Sequence, residues 1–521
     1  MRRTGIALVV YGGLIGLTYL GFNAVPSGFL PDQDKQYLIA IVQLPPGATV
    51  ERTDEVVRKV GEIGMKQRGV SHAVQFSGMS IIGFTQTASA GIVFFPLDDF
   101  DKRPGKELSA KAIAAELTKK LAPIQDAFLI VTPPPQIIGL GTTGGFKVQV
   151  EDRADAGAEA LYAATQAAIK RSYQEPALAG AFSTYQINVP QLDVDIDRAK
   201  VKRQNVKLSD LFQTLQVYMG SQYVNDFNKF GRTYQVLAQA DERFRSNADD
   251  VLSLKTRNAS GAMVPLGSLV DVKESFGPDV VQRYNAYRAS DINGGAAPGY
   301  SSGQAQAAMA KILKETLPRG MSFEWTDLAY QQSLSGSATL FVFPLCVLFV
   351  YLVLAAQYES LTLPLAIILI VPMCLLAGIT GVLLSHGDNN IFTQVGLIVL
   401  VGLACKNAIL IVEFAKHLEE EQGRDTVSAV LEAARLRLRP ILMTSIAFVM
   451  GVVPLVLAGG AGAEVRHTLG IVVFAGMLGV TFFGLLLTPV FYVLIRKFGK
   501  RQPVVADEAQ APARIASPET H

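Results

Sequence analysis

The feature that most constrains this chain is the spacing of its apolar runs. One run covers residues 5–22. A polar-mixed stretch follows to about residue 336. Apolar runs then resume at 337–356, 361–384, 391–414, 441–458 and 469–495. Each is near or above the ~18–20 residues that a helix needs to cross a bilayer. The weakest, 441–458, borrows 436–440, and the last is long enough to tilt. A basic start (Arg2, Arg3) also fits a signal peptide. The first run is long for one, however, and no small-residue cleavage site follows it, so it reads as a retained helix. Basic residues set the orientation. Arg2 and Arg3 precede the first span, Arg435, Arg437 and Arg439 precede the fifth, and Arg496, Lys497, Lys500 and Arg501 follow the sixth. An even number of spans puts all three clusters on the cytoplasmic side. The insert from about 25 to 336 then lies on the other side, which in a bacterium is the periplasm. The Pro/Ala/Glu-rich tail, 499–521, reads as disordered and cytoplasmic.

Composition agrees with a membrane-embedded chain. Half of the 521 residues are hydrophobic and 18% are charged, against about 25% charged in soluble domains. A purely soluble enzyme is therefore disfavoured. With 47 basic and 45 acidic residues the net charge is +2, too balanced for a surface whose main partner is nucleic acid. Cys346, Cys374 and Cys405 all lie in apolar runs without C-x-x-C spacing, and the five histidines make no H-E-x-x-H pattern. Neither a disulfide framework nor a metal site is expected. The glycine-rich run at 139–145 precedes a strand and makes a poor dinucleotide loop, and no other catalytic motif points to an enzyme.

Periodicity divides the insert. Residues 37–44 read as a strand, 48–67 as a helix, 70–76 and 90–96 as strands, 109–121 as a helix and 127–132 as a strand. This βαββαβ order is that of a ferredoxin-like unit. A second unit reads as strand 145–151, helix 156–173 and strand 181–185, then, after an interruption, strand 280–287, helix 302–313 and strand 322–326. The interruption, about 190–279, is a mixed α/β subdomain in which 223–227 (YVNDF), followed by Gly231 and Arg232, reads as a hairpin. The fold class is thus an α-helical membrane domain of six transmembrane helices, one plus five, with a large α+β insert. Clefts between such subdomains are where ligand sites tend to lie.

One charge is out of place. Between 337 and 410 only Glu359, Asp388 and Lys406 are charged, and the first two fall in loops. Lys406 lies well inside the span 391–414. A lysine at that depth is costly and functional by default. It requires an acidic partner, a water cavity or neutralisation. No Asp or Glu lies deep in any of the six runs. Glu413 is two turns away near the cytoplasmic end, and Glu464 is in a loop. Either Lys406 snorkels or pairs with Glu413, or it pairs with carboxylates on another polypeptide, an arrangement that would make a proton switch.

Four segments carry a resemblance. Residues 402–415 (GLACKNAILIVEFA) resemble the tenth membrane helix of resistance-nodulation-division multidrug efflux pumps of the AcrB/MexB type. Residues 435–445 (RLRLRPILMTS) resemble the start of their eleventh helix, 223–227 their docking region, and 355–360 (AAQYES) the segment after their eighth helix. The resemblance covers about 5–500. It implies a protein of two homologous halves, of which this chain looks like the second. The implied divisions are a first helix at 1–24, porter subdomains at 33–144 and at 145–190 with 279–325, a docking subdomain at 191–278, and five helices at 337–498.

The resemblance further implies drug/proton antiport by a homotrimer driven by the proton gradient, with no cofactor and with a periplasmic adaptor and an outer-membrane channel as partners. Lys406 matches the family's intramembrane lysine, and Arg437 and Thr444 match further members of its proton relay. Positive-inside anchoring is the plainer reading of Arg437, and helix back-bonding that of Thr444. The aspartate pair belongs to the first half, which would come from a partner chain. For hydrophobic or amphiphilic substrates the matching positions are His72, Val74 and Phe94, the loop candidates Phe76 and Phe84 in the switch-loop stretch 76–86, and Ile39, Ile41 and Gln43 on the entrance strand. Ile130 and Thr132 replace phenylalanines of the AcrB cleft, and Ser183 replaces an arginine. These changes predict a different substrate preference. Plain β-core is the alternative for Val74 and Phe94. Met79 is the only methionine near the loop, which disfavours metal export. The competing reading of the whole chain is a non-transporting fragment or interaction subunit of such a pump.

Overall fold

The computed structural model describes residues 4–81 and 85–498. The switch-loop candidate Phe84, the tail 499–521 and the flanking bases Arg2, Arg3, Lys500 and Arg501 lie outside the described residues. Helix α1 (Thr4–Ala24) leads into the insert, whose first unit runs β1 (Tyr37–Gln43), α2 (Val50–Met65), β2 (Val74–Ser80), β3 (Thr85–Pro96), α3 (Ala110–Leu121) and β4 (Phe128–Thr132). Its antiparallel sheet has the order β2-β3-β1-β4. Alternation along β1 sends Leu38, Ala40 and Val42 toward α2 and α3, where they join Val56, Val57, Val60, Ile113 and Leu117 in one core. Ile39 and Ile41 point to the opposite face. Helix α2 starts where the Thr49 side chain accepts from Arg52 N–H, and its valines form a single apolar stripe.

The second unit runs β5 (Phe146–Asp152), α4 (Ala158–Ser172) and β6 (Leu178–Phe182). An inserted subdomain follows: β7 (Val189–Ile196), α5 (Arg198–Arg203), α6 (Leu208–Leu215), β8 (Gln222–Lys229), β9 (Arg232–Ala238), α7 (Ala248–Ser253), β10 (Lys255–Arg257), β11 (Met263–Pro265) and β12 (Val270–Gly277). The unit resumes with β13 (Arg283–Tyr284), β14 (Tyr287–Ala296), α8 (Ser302–Thr316) and β15 (Met321–Thr326). Its sheet has the order β13-β14-β5-β15, with β6 also on β14. Helices α4 and α8 cover the face that carries Val148, Val150 and Ile292. In the insertion, Phe230 and Gly231, both at positive φ, make the two-residue turn between β8 and β9.

Three expected strands are displaced. Residues 280–287 are not a continuous strand. Val280 and Val281 are exposed, and Asn285 and Ala286 have φ of 49° and 71°, which turns the chain back on itself. The long strand is β14, whose buried centre (Ser290, Asp291, Asn293) is polar and so escapes a search for apolar alternation. Likewise the strand expected at 181–185 is β6, three residues earlier, and the strand expected at 70–76 is β2, four residues later, Val70 making only an isolated bridge with Leu97.

Helices α9 (Asp327–Tyr358), α10 (Leu363–Ile368), α11 (Val371–Leu384), α12 (Ile391–Glu420), α13 (Thr426–Val456) and α14 (Ala463–Phe498) complete the chain. With α1 they supply six segments long and apolar enough to cross a membrane, α10 and α11 sharing one. The break between these two falls just before Pro372, which has no N–H to continue the helix before it. Helix α9 begins ten residues before its apolar run, directly from β15, because Leu328 and Ala329 are buried. Helix α14 packs against α11, α12 and α13, and α1 against α11. Large apolar side chains such as Val9, Phe341 and Phe349 remain exposed on α1 and α9, as a lipid-facing or partner-facing surface requires.

Candidate functional site

Helices α12 and α13 meet at a polar contact inside an apolar bundle. Asn407 Nδ2 donates to Ser445 Oγ at 3.3 Å, and both residues are buried. Their neighbours Lys406 and Thr444 are both exposed. Thr444 Oγ1 donates back to the Ile441 carbonyl at 3.1 Å. Among the described residues Lys406 forms no ion pair, with Glu413 or any other acid. Arg437, on α13, is half-buried. Its guanidinium carbon lies 4.6 Å from the centre of the Phe414 ring on α12, and its Nε is buried without a hydrogen-bond partner among the described residues. The three relay candidates therefore share one pair of packed helices.

In the insert, strand register gathers most of the pocket candidates on one face. Val74, Phe94, Ile39 and Thr132 form one cross-strand row. Phe76, Ile92, Ile41 and Ile130 form the next. Gln43 begins a third, opposite Phe128. This is the face away from α2 and α3. The rings of Phe76 and Phe94 meet edge-on at 5.9 Å. The face is open at its edge strands, where Phe128 on β4 is exposed as well. Val74 and Phe76 are 45% and 42% exposed, whereas Ile39 and Ile41 are 2% and 4% exposed, packed with Ile81, Met79 and Phe182. The two isoleucines are thus covered and line no open space. His72 stands apart, in an open recess of about 590 Å³ beside Gly61, Met65 and Gln75. Gln43 donates to Ser89 and lines a second cleft, about 310 Å³, with Phe128, Tyr162, Ser183 and Tyr185. That cleft lies between the two sheet units.

Residues 1–496 match the AcrB/AcrD/AcrF family. The chain belongs to that family. It is 38% identical to the multidrug export protein AcrF of Escherichia coli (strain K12) over 504 residues, 95% of this chain and 48% of AcrF. It is 38% identical to the probable efflux pump membrane transporter TtgB of Pseudomonas putida over 493 residues, 94% and 46% of the two chains. To the multidrug resistance protein MdtF of Escherichia coli (strain K12) it is 35% identical over 502 residues, 95% and 48%. This AcrB/AcrD/AcrF-family chain spans about half the length of the curated relatives it matches.

Two contacts of this family member escape sequence reading. Phe128 and Phe182 bring their rings to 5.7 Å and so join the two sheet units beside the cleft. Alternation from Ile130 would have put Phe128 on the right face, but nothing in the sequence links it to Phe182. Phe414, the partner of Arg437, reads as one more apolar residue of its span.

Proposed function

We propose that the chain is the second half of a proton-driven drug/proton antiporter in a bacterial inner membrane. It exports hydrophobic or amphiphilic compounds, with the insert in the periplasm and both ends in the cytoplasm. In this reading the two sheet units are ferredoxin-like porter subdomains and the insertion is the docking subdomain. A partner chain supplies the intramembrane aspartate pair, and the assembly is a homotrimer joined to a periplasmic adaptor and an outer-membrane channel. The observation that carries the reading is Lys406: a charge on an apolar helix, on an exposed face, with no acid among the described residues bound to it. Such a group is costly in a membrane unless a counter-charge, a water cavity or neutralisation offsets it, and in this reading partner carboxylates supply the counter-charge. Protonation of partner carboxylates would release Lys406 and let α12 shift. Arg437 and Thr444, on the helix packed beside it, would respond to the same event. The half-open edge at Val74 and Phe76 suits ligands held by burial and dispersion, which impose little geometry.

The test is export of a lipophilic dye by cells producing this chain together with its complementary half. Lys406→Ala should abolish export at unchanged protein abundance. Export at the parental rate would overturn the reading and favour a non-transporting subunit.

A further inference from the structure

Segment 26–29, the link that leaves α1, is hydrogen-bonded on both of its sides. On one side it runs along the start of α12. Asn389 N–H donates to the Pro26 carbonyl at 2.8 Å, Gly28 N–H to the Asn389 carbonyl at 3.3 Å, and Ile391 N–H to the Phe29 carbonyl at 3.1 Å. Ser27 and Asn389 form a parallel bridge. On the other side it meets the start of α8. Ser301 Oγ donates to the Ser27 carbonyl at 2.5 Å, and Phe29 N–H donates to Ser302 Oγ at 3.2 Å. Ser301 is also the N-cap of α8, with a reciprocal bond to Gln304. The link therefore ties the first turn of the helix that carries Lys406 to the first turn of a helix whose Ala305, Met309, Ile312 and Leu313 lie in the core of the second sheet unit.

The geometry suits transmission of force. Asn390 caps α12 by accepting from Phe392 and Thr393 N–H, so the helix and its leader act as one piece. Lys406 is 16 residues further on, roughly 24 Å along a straight helix. Prolines lie inside α9, α13 and α14, whereas the sequence of α12 contains none, and proline is the commonest cause of a helix kink. The first sheet unit, which the chain enters after segment 26–29, has a further tie: Asp34 N–H, just before β1, donates to Glu464 at the start of α14. The second unit also continues directly from β15 into α9, and segment 26–29 gives it a separate tie to α12.

We propose that segment 26–29 is the strut through which displacement of α12 moves the second sheet unit, with Gly28 and Gly303 as the close-approach points on its two sides. The proposal rests on the antiport reading above. Neither glycine has positive φ, so alanine fits the backbone at both. What it does not fit is the strut. A methyl at Gly303 would lie 2.5 Å from both the carbonyl oxygen and the hydroxyl of Ser27, and a methyl at Gly28 would overlap the Asp388 carboxylate. Gly295, on the same unit, has open space at the corresponding point.

The experiment measures initial rates of ethidium export in cells producing the chain with its complementary half, with each variant quantified in the membrane fraction. Gly303→Ala should lower the maximal rate about tenfold and leave the half-saturating dye concentration unchanged, while Gly295→Ala behaves like the parent. Gly28→Ala should also lower the maximal rate, and Asp388→Ala combined with it should restore most of the loss, because the obstructing carboxylate is gone. This rescue decides the matter if Gly303→Ala does not accumulate. A parental rate in Gly303→Ala, a change confined to half-saturation, or no rescue at Gly28 overturns the strut. Lys406→Ala separates the two ideas. If it exports normally, the antiport reading itself fails. If it is inactive while Gly303→Ala is normal, only the strut fails.

Discussion

Arg437 lays its guanidinium over the Phe414 ring, 4.6 Å from its centre, about two turns along α12 from Lys406. Its Nε is buried and unbonded, so the stack is the contact that holds the group in place. A planar guanidinium stacks on a ring in a way that an ammonium cannot. Arg437→Lys keeps the charge and loses this geometry. It should reduce dye export severalfold, and Phe414→Leu should do the same with the arginine intact. Normal export in both variants would show that the charge alone suffices.

Asn407 and Ser445 form a buried polar contact between α12 and α13 at 3.3 Å. Side-chain hydrogen bonds between membrane helices are worth about 0.6 kcal/mol on average and up to roughly 1.7 kcal/mol. Asn407→Ala and Ser445→Ala should each lower thermal stability in detergent by that order. The double variant should cost less than the sum. Strict additivity would show that the two side chains do not communicate.

On the first sheet, core and candidate pocket are separable by exposure. Ile39 is 2% exposed and Phe76 is 42% exposed. Ile39→Ala should destabilise the insert by about 2–5 kcal/mol, seen as a lower melting midpoint. Phe76→Ala should leave the midpoint within about 2 °C and instead alter which lipophilic compounds the cells resist. A melting loss for Phe76→Ala comparable to that of Ile39→Ala would make its ring ordinary core.

The six apolar helices were legible because a bilayer imposes length and composition on whatever crosses it. The two sheets were legible where side chains alternate, as in β1. Reading failed where function or turn geometry displaces the pattern. Strand β14 carries Ser290, Asp291 and Asn293 at its buried centre, so its signal was sought among the exposed valines before it. Lys406 stood out by residue type alone, since its cost in a membrane needs no neighbour to be recognised. The contacts of Arg437 with Phe414 and of Phe128 with Phe182 depend on helix rotation and on the docking of two units, neither of which a linear pattern encodes.

Arg103 is 2% exposed in its side chain and pairs with Asp34 at 2.9 Å. Burial opposes ionisation of Asp34. The Arg103 hydrogen bond and charge and the N–H groups of Gln36 and Ala110 outweigh it, and the carboxyl sits below its ordinary value. A lowered folded value stabilises the chain above the unfolded value, near ~3.9, and that contribution is lost as pH falls through the folded value. Asp34→Asn leaves Arg103 buried without a counter-charge and should cost about 3–5 kcal/mol at neutral pH. The gap between variant and parent melting midpoints should narrow on acidification below about pH 4. A constant gap would mean that the pair contributes no ionic stabilisation.

Asp291 presents the opposite sign. It is buried on β14, directly opposite Gln149 of β5, which is itself opposite Glu324 of β15. This row lies on the sheet face away from α4 and α8. Burial pushes the Asp291 carboxyl up, against the charge of Lys147 and the hydrogen bond from Asn293, and Asp327 adds repulsion. Gln149 Oε1 is buried and accepts from no group among the described residues. A protonated Asp291 would add a donor to the row. With its folded value raised, Asp291 contributes fully below the unfolded value near ~3.9, and the contribution is lost as pH rises through the folded value. Asp291→Asn carries a donor at every pH and no charge. Its melting midpoint should exceed the parent's at pH 7.5, by about 2–4 °C per kcal/mol of penalty removed, and should match the parent's near pH 3.5. A variant less stable than the parent at pH 7.5 would show that the buried carboxylate is wanted in its charged form.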